Sequence, residues 1–133
     1  MVTGLEWAQK RPPWDVYFAS IAVQVAKRAD CRRRAVGCVI VDSDHRIIAT
    51  GYNGSPSGAE SCLDGKCPRG LSDYQDIVAF SNYDNCIAIH AEANALLYAR
   101  TSCKGATAYI TCPPCPSCAK LMAAAGIERI VVP

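Results

Sequence analysis

Two short stretches carry side chains able to do chemistry, His90-Ala91-Glu92 and Pro114-Cys115-Pro116-Ser117-Cys118. One imidazole and two thiols form the donor set of a catalytic zinc, which takes three protein ligands and leaves its fourth position to water. Residues three apart on a helix face the same way, so Cys115 and Cys118 can share one ion. The N–H groups and dipole of a helix N-terminus favour thiolate over thiol there. Glu92, two residues after His90, falls near the metal without being required to bind it, which is where a proton shuttle belongs. A lone Cys-x-x-C is often a structural zinc site or a redox pair, and a lone His is usually packing or surface. Here both halves occur in order and each opens a predicted helix, and a structural zinc site would have no use for Glu92.

This H-x-E plus P-C-x-x-C arrangement is a known signature of zinc nucleobase deaminases. It predicts hydrolysis of an exocyclic amine, in which Glu92 moves protons between water and a ring nitrogen and ammonia departs.

The elements that must position these residues are legible as periods and breaks. Trp14 to Ala29 reads as an amphipathic helix, with Trp14, Phe18, Ile21 and Val25 at helical spacing and Pro12 and Pro13 at its start. Ala35 to Val41 and Ile47 to Thr50, split by the turn residues Asp42 to His45, predict a β-hairpin. From Gly51 to Asn85 no period survives, and a loop this long in a small domain needs an anchor. Ala91 to Arg100 reads as a helix and Ala106 to Thr111 as a strand. Cys115 to Ala125 reads as a helix stopped by Gly126, and Ile127 to Val132 as a last strand. Strand, helix, strand at the end implies a right-handed parallel crossover, so the fold class is α/β.

Composition bounds the rest. A chain of 133 residues fits one domain spanning 1–133, and 50% hydrophobic with 20% charged residues fits a folded globular protein. A formal charge of +2 and a pI near 8.1 argue against an extended nucleic-acid surface. The basic cluster Lys27, Arg28, Arg32, Arg33 and Arg34 reads either as solvated surface or, in Arg32 to Arg34, as a partner for a substrate phosphate. Neither a membrane-length apolar run nor the apolar core of a signal peptide is present, which leads us to expect a cytoplasmic protein. Nine cysteines, an odd number without an export signal, then point to metal binding or catalysis and not to disulfides.

Beyond the zinc motifs, three stretches are distinctive: Arg11-Pro12-Pro13-Trp14-Asp15 with Tyr17-Phe18, Cys31 to Gly37, and Ile48 to Gly58 with Gly51-Tyr52-Asn53-Gly54 at its centre. Together they resemble the deoxycytidylate (dCMP) deaminases of the cytidine deaminase-like superfamily over nearly the whole chain. The resemblance implies a three-layer α/β/α fold with a central mixed sheet, and conversion of dCMP to dUMP plus ammonia. It implies that Asn53 contacts the sugar and that the backbone near Ala91 and Thr111 contacts the base, although Asn53-Gly54 by itself reads as a turn. It implies a homo-oligomer, from dimer to hexamer, and a candidate dCTP or dTTP effector at the Gly-Tyr-Asn-Gly loop. Such relatives continue beyond the position of Pro133 with a strand and helix whose tyrosine closes over the base, a wall expected here to be missing or supplied by a neighbouring subunit.

Rival readings are a deaminase of another cytosine compound (dCTP, methylated dCMP or a nucleoside) or of a base in single-stranded nucleic acid, and a non-catalytic zinc-stabilised nucleotide sensor. Cys31, Cys62, Cys67 and Cys86 flank the irregular segment and could hold a second, structural zinc, or be unligated thiols. Cys38 reads as a small core residue, and Cys103 has no assigned role. Cys112 is not expected to ligate, since a fourth protein ligand would displace the water.

Overall fold

The computed structural model describes residues 11–31, 34–56, 58 and 88–133. Four strands form one mixed sheet: β1 (Gly37–Val41), β2 (Ile47–Tyr52), β3 (Thr107–Ile110) and β4 (Arg129–Val131), in the order β2-β1-β3-β4. β1 pairs antiparallel with β2 and with β3, while β3 and β4 run parallel. The hairpin register shifts between Ile40 and Val41. Its turn is held by Asp42, whose Oδ1 accepts from the N–H groups of Asp44 and Arg46, each at 2.9 Å.

Every residue of β1 is buried, as expected of a central strand covered on both faces. Side chains alternate across a strand, and the core divides accordingly. Val39, Val41 and Tyr109 pack with Phe18 and Ala22 of α1 (Trp14–Ala26). Cys38, Ile40, Ala108 and Ile110 face the other way, toward Ala91 and Ala95 of α2 (Ala91–Leu97) and Met122 of α3 (Pro116–Ala124). The sheet is therefore sandwiched by helices, and α3 is the crossover between the parallel strands β3 and β4. Cys38, 0% exposed, is the small core residue expected, and Cys103 joins the same cluster.

The helices stop earlier than the periodicity suggests, α1 at Ala26 and α2 at Leu97. The buried face of α1 also differs from expectation, because Phe18, Ala22 and Ala26 are buried while Trp14 is 46% exposed and stacks on His45. Backbone approach explains it. A Cβ on Gly37 would overlap Ala22 O and Ala26 N, so α1 lies too close to β1 for anything larger than alanine at those positions. Gly51 of β2 does the same for α2, where a Cβ would meet Ala91 O and Ala95 N.

Of the long irregular stretch, Gly51 and Tyr52 belong to β2, and Gly54 makes an antiparallel bridge to Ile89 with N···O distances of 3.1 and 2.7 Å. That bridge delivers the chain to the start of α2. No helix among the described residues is long and apolar enough to cross a membrane.

Candidate active site

His90 and Cys115 occupy equivalent places, the extended N-cap residues of α2 (φ −62°, ψ 151°) and α3 (φ −71°, ψ 163°). Pro116 follows Cys115 where a helix tolerates proline, and Cys118, a turn later, donates its N–H to Cys115 Sγ at 3.4 Å. The two helix ends meet. His90 Nδ1 lies 3.5 Å from Cys115 Sγ and 3.3 Å from Cys118 Sγ, and the three donor atoms all fall within 4.8 Å of one another. Zinc with ordinary Zn–N and Zn–S bonds in a tetrahedral site would hold nitrogen and sulfur about 3.6 Å apart, so the donors fit that ion. Burial pushes the Cys118 thiol up, and the neighbouring charge of Glu92 adds to the effect, which is the penalty a cation would relieve.

Glu92 and Asn53 are the buried polar residues described, at 4% and 7% exposure. A buried carboxylate is costly unless bonded or used, and the charge of Glu92 is close enough to push the Cys118 thiol up. It also lines a cavity of about 60 Å³ together with His90, Ala91, Cys115, Asn53, Cys112 and Arg34. Two of the three donors, His90 and Cys115, the carboxylate and the residue expected to meet the sugar thus share one cavity wall.

Asn53 has a second engagement. Its Oδ1 accepts from Val36 N–H and its Nδ2 donates to Arg34 C=O, both at 2.7 Å, so it clamps the segment leading into β1. Thr111 lies at the end of β3, where its N–H donates to Gly37 C=O and its hydroxyl accepts from Gly37 N–H, each at 3.1 Å. The next residue, Cys112, reaches the cavity; burial pushes its thiol up, and the nearby charge of Arg34 opposes that rise. Cys112 stands outside the three-donor group. Cys31 also borders the cavity, whereas Cys62, Cys67 and Cys86, like Arg32 and Arg33, lie outside the described residues.

Sequence reasoning missed two positioning groups. Asn94 Nδ2 donates to Tyr52 C=O at 2.9 Å and to Ile89 C=O at 3.4 Å, tying the first turn of α2 to β2 and to the residue before His90. Its one signal was a polar residue among the alanines of a helix start. Arg34 was expected either as solvated surface or, with Arg32 and Arg33, as a phosphate partner; what the sequence did not show is the backbone clamp from a residue 19 positions away that sets it in the cavity wall.

The family described as "Cytidine and deoxycytidylate deaminase zinc-binding region" matches residues 12–133. The chain is 50% identical to a deoxycytidylate deaminase of Mycobacterium phage D29, over 92% of this chain and 96% of that protein. It is 43% identical to a deoxycytidylate deaminase of Schizosaccharomyces pombe over 91% of this chain, spanning 37% of that longer protein. The crystal structure of a cyanophage S-TIM5 dCMP deaminase in complex with dCMP and dUMP superposes with a TM-score of 0.71 at 27% identity, covering 93% of this chain and 83% of that one. The match takes in every element from α1 to β4 and both zinc motifs, and on that ground the chain belongs to the cytidine and deoxycytidylate deaminase zinc-binding family.

Proposed function

We propose that the protein hydrolyses the exocyclic amine of dCMP, giving dUMP and ammonia. The observation that carries this reading is a carboxylate 4% exposed, set in a cavity that two members of a His-Cys-Cys donor triangle, His90 and Cys115, also line. Similarity to proteins named deoxycytidylate deaminase, and to one solved with dCMP and dUMP, supports the choice of substrate. Zinc, when held by His90, Cys115 and Cys118, supplies Lewis acidity and brings the pKa of water toward neutrality.

The protein's own groups do the rest. Glu92 takes a proton from the attacking water and passes it to the ring nitrogen, then takes the proton of the hydroxyl now bonded to the ring carbon and gives it to the amine, so that C=O forms as C–N breaks and one water is consumed for each ammonia released. Ala91 closes the cavity beside the base, and Asn53 holds the wall against which the sugar lies. Burial of Glu92 keeps its proton from exchanging with bulk solvent.

Incubating the zinc-loaded protein with a panel of cytosine nucleosides and nucleotides while following ammonia tests the proposal. We expect dCMP to be turned over in preference to deoxycytidine, dCTP and an oligonucleotide. Absence of ammonia from every member would defeat the enzymatic reading, and faster turnover of the oligonucleotide would move the substrate to nucleic acid. Homo-oligomerisation, response to dCTP or dTTP, and a second zinc at Cys31, Cys62, Cys67 and Cys86 belong to the same proposal. They are read by light scattering, by kinetics with and without effector, and by zinc content per chain.

A further inference from the structure

Residues on both sides of Asn53 are hydrogen-bonded to the chain around His90. Gly54 exchanges two backbone bonds with Ile89, at 3.1 and 2.7 Å, and Tyr52 C=O accepts from Asn94 Nδ2 at 2.9 Å. The same Nδ2 donates to Ile89 C=O at 3.4 Å, while the Asn94 backbone N–H donates to His90 C=O at 2.9 Å. One side-chain amide thus spans the end of β2 and the start of α2. We infer that Asn94 is a positioning residue that fixes the separation between the sugar wall at Asn53 and the reacting groups at His90 and Glu92. This rests on the proposed deaminase reading and adds to it a residue outside the cavity on which the rate depends.

The position calls for a carboxamide. Its NH2 group carries two N–H donors and the two atoms it faces are both carbonyl oxygens, so one donor serves each. Aspartate, of the same shape, would set a negative oxygen against both, and leucine, of similar size, offers no donor. The helix also needs the tie. α2 has seven residues, a length that is marginal alone in water, so its seat is set by what it touches. Gly51 sets how closely α2 lies on β2, since a Cβ there would overlap Ala91 O and Ala95 N, but close contact alone leaves the helix able to slide along the strand. Hydrogen bonds are directional and remove that freedom. Residues two apart on a helix do not face the same way. Glu92 accordingly lines the cavity with Asn53 and His90, while Asn94 lies behind that wall beside Tyr52 and Gly54.

The test replaces Asn94 with leucine and reads kcat, KM and dUMP binding together. A substrate that meets Asn53 through its sugar and Glu92 through its base reacts only when the two are correctly spaced, and a misplacement of about 1 Å can cost roughly a hundredfold. We expect Asn94→Leu to lower kcat for dCMP roughly ten- to a hundredfold, with a much smaller change in KM. Zinc content, and the number of dUMP sites per chain measured by calorimetry, should stay those of wild type. That pattern marks lost alignment in the transition state and not lost binding or lost folded protein. Asn94→Gln, which keeps both donors, should recover part of the lost kcat. Should Asn94→Leu fail to fold, Asn94→Ala carries the same measurements.

An unchanged kcat in Asn94→Leu, or a fall matched by an equal loss of dUMP sites, overturns the inference and leaves the deaminase intact, because the amide would then only hold the fold together. A glutamine variant no faster than the leucine one counts against it in the same way. Absence of turnover by the wild type is the separate result that removes the proposed function.

Discussion

Glu92 is close enough for its charge to push the Cys118 thiol up, yet their replacement should have different signatures. Glu92→Gln keeps size and shape and leaves all three donors in place, so zinc should stay bound while turnover falls about a hundredfold to ten-thousandfold, the usual worth of a positioned proton carrier. Cys118→Ser removes a donor from a residue 3% exposed, so metal should be lost along with activity. Zinc content by mass spectrometry beside ammonia release separates the two. Full turnover by Glu92→Gln would remove that residue from the proton path. At this scale the sequence was most informative, because His90, Cys115 and Cys118 need only local helix starts to be recognised. What it hid were groups whose partners are far along the chain, such as Asn53 on Arg34 and Val36, or Asn94 on Tyr52.

The elements were legible where one period dominates. The hairpin, the two helices behind the zinc motifs and the parallel crossover follow from alternation, alanine-rich turns and glycine stops. The burial face of α1 did not, since close backbone contact at Gly37 replaced side-chain bulk as the rule for what faces the sheet. That contact and its counterpart at Gly51 give a paired prediction. Gly51→Ala drives a methyl into Ala91 O and Ala95 N, displacing the helix that carries His90 and Glu92. Gly37→Ala drives one into Ala22 O and Ala26 N of α1, on the opposite layer. Each should cost about 1 to 3 kcal/mol, the usual penalty of overpacking, measured by urea denaturation. Only Gly51→Ala should also weaken zinc affinity, measured by competition with a chelator. Equal weakening by both would show that the site tracks global stability and not the seat of α2.

Across the whole molecule, the first helix and the last strand are joined by a contact between residues 114 positions apart, which no local pattern announces. Asp15, in the first turn of α1, receives both guanidinium N–H groups of Arg129 on β4, and Tyr109 of β3 donates its hydroxyl to the same carboxylate at 2.8 Å. The Arg129 hydrogen bonds first, and then Tyr109, hold the Asp15 carboxyl down to about 2. An unfolded aspartate titrates near about 3.9, so the folded protein holds the charged form more firmly. The contribution is therefore complete above about pH 4 and is lost as pH falls through the folded value of about 2. Asp15→Asn still offers Tyr109 an acceptor oxygen, so it isolates the charge. Wild type should be the more stable protein at pH 7, with the difference shrinking as pH falls from about 4 to about 2. Because both side chains are about half exposed, at 54% and 45%, the difference should also shrink in molar salt. Denaturation midpoints of the two proteins across that pH range check it, and a gap that stays constant in acid would mean that the ion pair does not hold α1 against β4.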